Sequence, residues 1–371
     1  MVNKKAHLIE QDENISFQSI NEDSQDPIEK SDLEESNDEI NLKMVGWEIT
    51  RRCNLACPHC YTAAANSDQF VPELSTAQCY KIIEDIARLG VEIIGWTGGE
   101  PLLRNDLEDL IAYAKSFGIR SGLTTNGLLL SESRAKSLKD AGLEIVQVSL
   151  DGSTPARNAK IRKCLESDFE IVLNGALNSQ KLGMNTNLAM LLCSETLDDA
   201  SSYLKLAKQV GINTVRFCGF VPVGRGKKPE ISQKFLFSKD DLTYLREFAE
   251  SSIENENLRI LFDPAFGSMP PYHYFHSCFA GKGQLYLDTL GNIYPCTSMI
   301  NSEFLVGNIH NRSIVDIYKD ERMRPTSNFS DTCLKGRCTS CEHVINCHGG
   351  CRGITHAQTG DIHASFPYCL K

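Results

Sequence analysis

From Val45 onward, short apolar runs alternate with stretches whose apolar residues recur every three or four positions. Runs of four to eight apolar residues bounded by turn residues read as buried strands, and the longer period reads as amphipathic helix. Strand-like runs occupy 46–50, 91–96, 119–123, 145–150, 184–192 and 214–217, with helix-like segments at 76–89, 106–117, 131–141, 169–181 and 197–210 between them. Gly90, Gly118, Gly142 and Gly211 each stand just before a strand-like run, where a helix end favours a residue free to turn left-handed. Six strands with intervening helices predict an α/β fold: a parallel sheet curled as a partial (β/α)6 TIM-like barrel, with its chemistry in the loops after the strands.

The flanks differ. Residues 1–43 lack apolar periodicity and are rich in Glu, Asp, Ser and Asn, which predicts a disordered acidic tail: a solvated extension, or a binding segment for a partner or leader peptide. The barrel core is expected at 44–226. From Lys227 to Ser238 the pattern weakens, and an amphipathic helix follows at about 240–253, so 227–277 reads as a connector with a helix. From Cys278 to the end, cysteines, glycines and turn residues dominate, with a hairpin expected at 284–294. This segment, 278–371, reads as a small module stapled by metal rather than by a large core.

Charge narrows the class of partner. The net charge is −10, but residues 1–43 hold 12 acidic against 4 basic side chains, so −8 lies there and −2 elsewhere. A nearly neutral folded part gives no electrostatic reason to expect nucleic acid or an anionic membrane. No apolar run is long enough to span a bilayer, and no basic segment leads into an apolar stretch as in a secretory signal, so a cytoplasmic location is expected. In a reducing compartment, 15 cysteines in 371 residues point to metal binding rather than disulfides.

Cys53, Cys57 and Cys60 follow the first strand directly, and a specified three-cysteine spacing should arise by chance only roughly 0.02 times in such a chain. Three thiolates can hold three irons of a cubane and leave the fourth without a protein ligand, open to chelate a small molecule. On these residues the chain resembles the radical S-adenosylmethionine superfamily. The resemblance implies a [4Fe-4S] cluster on Cys53, Cys57 and Cys60 whose vacant iron binds the methionine moiety. Reductive cleavage would then yield a 5′-deoxyadenosyl radical that abstracts hydrogen from substrate. It further implies that Gly98, Gly99, Glu100 and Pro101 meet the methionine ammonium, that Ser149 and Asp151 face the ribose, and that Arg162 lies near the cofactor carboxylate. Asn126, at another strand end, joins this cofactor-binding set, although a turn residue is its simpler reading. The family's His-Asp pair before the arginine is replaced by Asn158 and Ala159.

Cys338, Cys341, Cys347 and Cys351 form a second spacing, expected by chance roughly 0.001 times. A structural zinc ribbon would explain them alone. With Cys278, Cys296 and Cys369 they are similar, in order, to the SPASM-type C-terminal domain of one radical S-adenosylmethionine branch, which implies two auxiliary [4Fe-4S] clusters. That resemblance assigns Cys338, Cys341, Cys347 and Cys369 to one cluster and Cys278, Cys296 and Cys351 to the other. The second set is one ligand short; Cys333 could complete it, or the site could stay open to substrate. Cys79, Cys164, Cys193 and Cys218 read as buried small hydrophobes, with Cys218 a candidate hydrogen-atom donor because it follows the sixth strand. His273, His276, His343, His348, His356 and His363 read as solvent-facing or supporting the clusters.

The branch implies modification of a ribosomally made peptide or protein first, with processing of a tetrapyrrole side chain or oxidation of a small molecule as alternatives. Thr297 stands where anaerobic sulfatase-maturing relatives carry an acidic residue, which counts against that reaction. A reducing partner such as flavodoxin or ferredoxin, and a separate peptide-recognition protein, are the implied partners. From outside enzymology, the alternative is a zinc-stabilised binding protein.

Overall fold

The computed structural model describes residues 42–66, 72–252, 258–266, 278, 280–325 and 333–369. Residues 1–41 of the expected acidic tail, and His273 and His276, lie outside the described residues. In chain order the strands are β1 (Met44–Thr50), β2 (Arg52–Cys53), β3 (Ala65–Asn66), β4 (Ile93–Gly98), β5 (Arg120–Thr125) and β6 (Leu143–Ser149). They continue as β7 (Asn185–Leu192), β8 (Thr214–Gly219), β9 (Arg259–Phe262), β10 (Gln284–Leu287), β11 (Asn292–Tyr294) and β12 (Gly307–Asn308). The helices are α1 (Thr76–Arg88), α2 (Leu107–Ser116), α3 (Glu132–Ala141), α4 (Pro155–Arg162), α5 (Asp168–Lys181) and α6 (Ala200–Val210). After them come α7 (Pro229–Phe235), α8 (Lys239–Ser251), α9 (Ile314–Lys319), α10 (Val344–Cys347) and α11 (Arg352–Thr359).

One sheet takes ten strands in the order β12-β11-β10-β1-β4-β5-β6-β7-β8-β9. The six strands expected from the apolar pattern form its middle, all parallel. Two further parallel strands lengthen it, β9 on β8 and β10 on β1. β9 and α7 both fall in the stretch expected to be a connector with one helix. Four and seven residues are too short to display a period, so neither stood out. The expected hairpin is β10–β11, and Asp288 closes its turn by accepting from the Leu290 and Asn292 amides at 2.9 Å each. Because β10 pairs with β1, the cysteine-rich segment begins as a continuation of the barrel sheet.

Alternation along the strands separates two faces. Val45, Trp47 and Ile49 of β1, Ile94 and Trp96 of β4, and Val146 and Val148 of β6 join the apolar layer. The rings of Trp47 and Trp96 stack across β1 and β4 at 5.5 Å, an arrangement worth about 0.5–1.5 kcal/mol beyond burial alone. The alternate positions face the other way, and many of them are small or polar. Gly46, Gly95 and Gly122 stand in register at one level, and Tyr286 lies opposite Gly46. Two residues further along, Glu48 pairs with Thr97 and Gln147 with Asn187. Beyond these, Ser149, Ala189 and Arg216 share a level, and Leu191 pairs with Cys218. A face of this composition supplies chemistry instead of core.

Candidate functional site

The loop after β1 is held from three directions. Its ends are tied as a two-residue parallel pair, Arg52 with Ala65 and Cys53 with Asn66. Inside it, the Leu55 amide donates to Cys53 Sγ at 3.4 Å, and the Ala64 amide to Cys60 Sγ at 3.5 Å. From outside, Arg225 donates through its amide to the Cys60 carbonyl at 2.9 Å, through Nε to the Cys57 carbonyl at 2.9 Å and through Nη1 to the Ala64 carbonyl at 2.5 Å. Gly224 makes this approach possible: its φ is +58°, and a Cβ there would lie 2.3 Å from the Tyr61 carbonyl. Sequence reasoning missed this clamp. The signal available was an arginine between two glycines just past a strand.

Cys53 and Cys57 are buried and Cys60 is half-buried, all with free thiols. Burial pushes the Cys53 thiol up to about 11, and the neighbouring Glu100, Cys57 and Cys60 push the same way. Thiols so placed form thiolates only against compensating positive charge, which bound iron supplies. Beside them, Gly98 and Gly99 let the turn after β4 pack directly on the start of the cysteine loop, since a Cβ would fall 2.3 Å from the Thr50 carbonyl or the Arg52 carbonyl respectively. The residues therefore fit an iron-sulfur cluster: three sulfurs gathered in one loop, whose start is held against a turn that only glycine permits.

Glu100 is fully buried, and burial pushes its carboxyl above the usual range. It accepts from the Leu102 amide at 3.1 Å, the Thr125 hydroxyl at 2.7 Å and the Asn126 amide at 2.7 Å. It thus caps the turn that begins at Pro101 and ties the end of β4 to that of β5. Asn126 joins the same network, donating to Asn54 Oδ1 in the cysteine loop at 2.7 Å while its Oδ1 accepts from the Leu128 amide at 3.0 Å. Asp151 accepts from the Leu191 amide at 2.7 Å and from Arg162 Nη1 at 2.8 Å, and lies 3.5 Å from His59 Nε2. His59, inside the cysteine loop, is held neutral because burial lowers it to about 4. Asp151, Arg162 and the loop are therefore one assembly; burial pushes the Cys57 thiol up, and Arg162 is the cation that opposes this most. Ser149 stands half-buried on the inner face of β6, at the level of Ala189. Asn158 accepts from the Asp151 amide at 2.9 Å, giving this departure from the family pattern a bracing role. A cavity of about 480 Å³ opens beside Asp151, lined by α4 and the segment after β7, where Arg157 pairs with Asp198 and Lys160 with Glu195.

In the C-terminal segment, burial and the neighbouring Cys278 and Cys351 push the Cys296 thiol up. Burial and Cys278 push Cys351 up to about 11. Cys296 and Cys351 thus both feel the charge of Cys278. Cys338 is buried and Cys341, Cys347 and Cys369 are half-buried, whereas Cys333 is exposed.

A family model for the radical SAM superfamily matches residues 47–227, and one for SPASM, an iron-sulfur cluster-binding domain, matches 278–342. The chain belongs to the radical SAM superfamily. As a radical SAM enzyme with a SPASM domain it takes S-adenosylmethionine, a [4Fe-4S] cluster on its core and auxiliary iron-sulfur clusters. It is 28% identical over 345 residues to the AdoMet-dependent heme synthase of Methanosarcina barkeri, covering 88% of this chain and 96% of that protein. Similarity to mycofactocin maturase MftC of Mycobacterium tuberculosis is 28% over 333 residues, covering 88% and 82%. The fold is that of anSMEcpe with bound AdoMet, with a TM-score of 0.69 at 20% identity over 88% of this chain and 90% of that one. Among the described residues no helix is long and apolar enough to cross a membrane.

Proposed function

We propose that this radical SAM enzyme modifies a ribosomally made peptide or protein, with Cys53, Cys57 and Cys60 as the three cluster ligands. A reduced cluster with S-adenosylmethionine bound would supply a 5′-deoxyadenosyl radical. The chain's residues do the rest. Arg225 fixes the loop carbonyls, Gly98 and Gly99 let the turn after β4 pack on the loop, and Arg162 with Asp151 and Ser149 would orient the cofactor's polar groups. A flavodoxin or ferredoxin is the proposed reductant, and a separate protein could present the peptide.

The observation that carries the substrate class is on the inner wall. Asn187 is 1% exposed, and its Oδ1 has no hydrogen-bond partner; on the neighbouring strand Arg216 Nε is likewise buried and unpartnered. Arg216 is at the level of Ala189, two residues beyond Asn187, so their Cα positions are about 6.6 Å apart along the strand direction. A peptide backbone, which carries both N–H donors and C=O acceptors, offers a partner to each of these groups. The similarity to mycofactocin maturase supports the same reading. A second reading, processing of a tetrapyrrole of the haem or haem d1 type, is favoured by the match to a heme synthase over 96% of its length.

The discriminating experiment incubates the reconstituted enzyme with S-adenosylmethionine and reductant. In parallel reactions it offers peptides from short reading frames beside the gene, or iron coproporphyrin. A mass change in a peptide with matching 5′-deoxyadenosine is the expected result. A changed porphyrin with unchanged peptides would replace this reading by the second.

A further inference from the structure

Arg352 opens α11 immediately after Cys351 and has no exposed surface. A guanidinium in that position is unfavourable unless its N–H groups find acceptors and its charge finds a counter-charge. The acceptors are partly present. Nη1 donates to the Ile362 and Ala364 carbonyls at 2.9 Å each, and Nε to the Gly350 carbonyl at 3.4 Å. Nη2 is buried with no partner. The loop before it is shaped to admit the group: Gly349 has φ +79°, and a Cβ there would lie 2.8 Å from Nη2.

Burial disfavours the charge on Arg352 more than any neighbour supports it, and the groups that do support it are the sulfurs of Cys338, Cys278, Cys351 and Cys347. The chain places it among them: Arg352 follows Cys351 directly, and its Nη2 lies against Gly349, between Cys347 and Cys351. Cys278 and Cys351 belong to one proposed ligand set, and Cys338 and Cys347 to the other. The side-chain hydrogen bonds of Arg352 among the described residues all go to backbone carbonyls, none to a carboxylate. An always-charged guanidinium is thus buried beside cysteines of both proposed ligand sets, with the two N–H donors of Nη2 left for cluster sulfur.

We propose that Arg352 is an electrostatic bridge between two auxiliary cluster sites and that it raises their reduction potentials. The proposal rests on the reading of the C-terminal cysteines as ligands of two clusters. Its physical basis is simple. A cluster gains one negative charge when it takes one electron, so a fixed cation and an N–H···S bond stabilise the reduced form more than the oxidised form. The bridge therefore biases both auxiliary clusters toward accepting an electron from the substrate radical.

The test is a redox titration followed by electron paramagnetic resonance in a C53A/C57A/C60A background, where only auxiliary clusters contribute. Auxiliary iron must be present in that parent; its absence would overturn the ligand reading itself. With iron retained, Arg352→Gln is expected to lower the reduced-to-oxidised ratio at fixed potential at least tenfold, about 59 mV for a one-electron couple. Arg352→Lys, which keeps the charge, is expected to retain most of the wild-type potential. Unchanged potentials in an iron-replete Gln variant, or loss of auxiliary iron from both variants, would overturn the bridge and leave Arg352 a packing residue. Should only the Gln variant lose iron, the Lys variant decides: a near-wild-type potential supports the bridge, and a full tenfold shift overturns it.

Discussion

Arg225 is the residue on which the cysteine loop most depends. Replacing it by Ala removes two side-chain bonds to loop carbonyls, and bonds from a charged donor contribute about 1.5–3 kcal/mol each. The expected outcome is loss of the first cluster, about four irons per chain, with unchanged far-ultraviolet circular dichroism; full iron retention would show that the loop needs no clamp. The cysteines themselves were legible because their spacing is local. Arg225 was not, because 168 positions separate it from Cys57 and only folding brings them together. Glu100 shows a different limit: its motif marked the site, but its bonds to Thr125 and Asn126 depend on the adjacency of β4 and β5. Gly99→Ala, whose new Cβ would meet the Arg52 carbonyl next to Cys53, is expected to displace the cysteine loop and lower first-cluster iron, read as iron per chain after anaerobic reconstitution; full iron retention would show that the close packing is dispensable.

At the scale of the element, β1 shows how one strand serves both core and site. Its outward residues build the apolar layer, and its inward Glu48 is 1% exposed, with a carboxyl raised by burial from 4.5 to about 7. The folded carboxyl keeps its proton up to that pH, whereas the unfolded one releases it near 4.5, so stability falls as pH rises through the interval. The loss is on the order of 3 kcal/mol when complete. Glu48→Gln is therefore expected to gain melting temperature over wild type at pH 8 relative to the difference at about pH 4, below the unfolded carboxyl's range; a gap independent of pH would contradict the raised carboxyl. The six central strands were readable because each is an apolar run set off by a helical period. β9 was not, since four residues carry too little pattern and its place is set by pairing with β8.

Across the whole molecule, the seam between β1 and β10 joins the radical SAM core to the SPASM segment through a shared sheet. Removing residues 278–371 would bare the edge of β1, and exposed strand edges template association. The shortened chain is expected to pellet on centrifugation, and a monomeric, folded core in the supernatant would contradict that dependence. The central claim is that Cys53, Cys57 and Cys60 alone hold the cluster that cleaves S-adenosylmethionine. Its most direct test compares wild type with C53A/C57A/C60A, both reconstituted anaerobically, for iron content and 5′-deoxyadenosine under strong reductant. The expected result is a fall from about twelve to about eight irons per chain with cleavage abolished; cleavage that survives in the triple variant would contradict the claim.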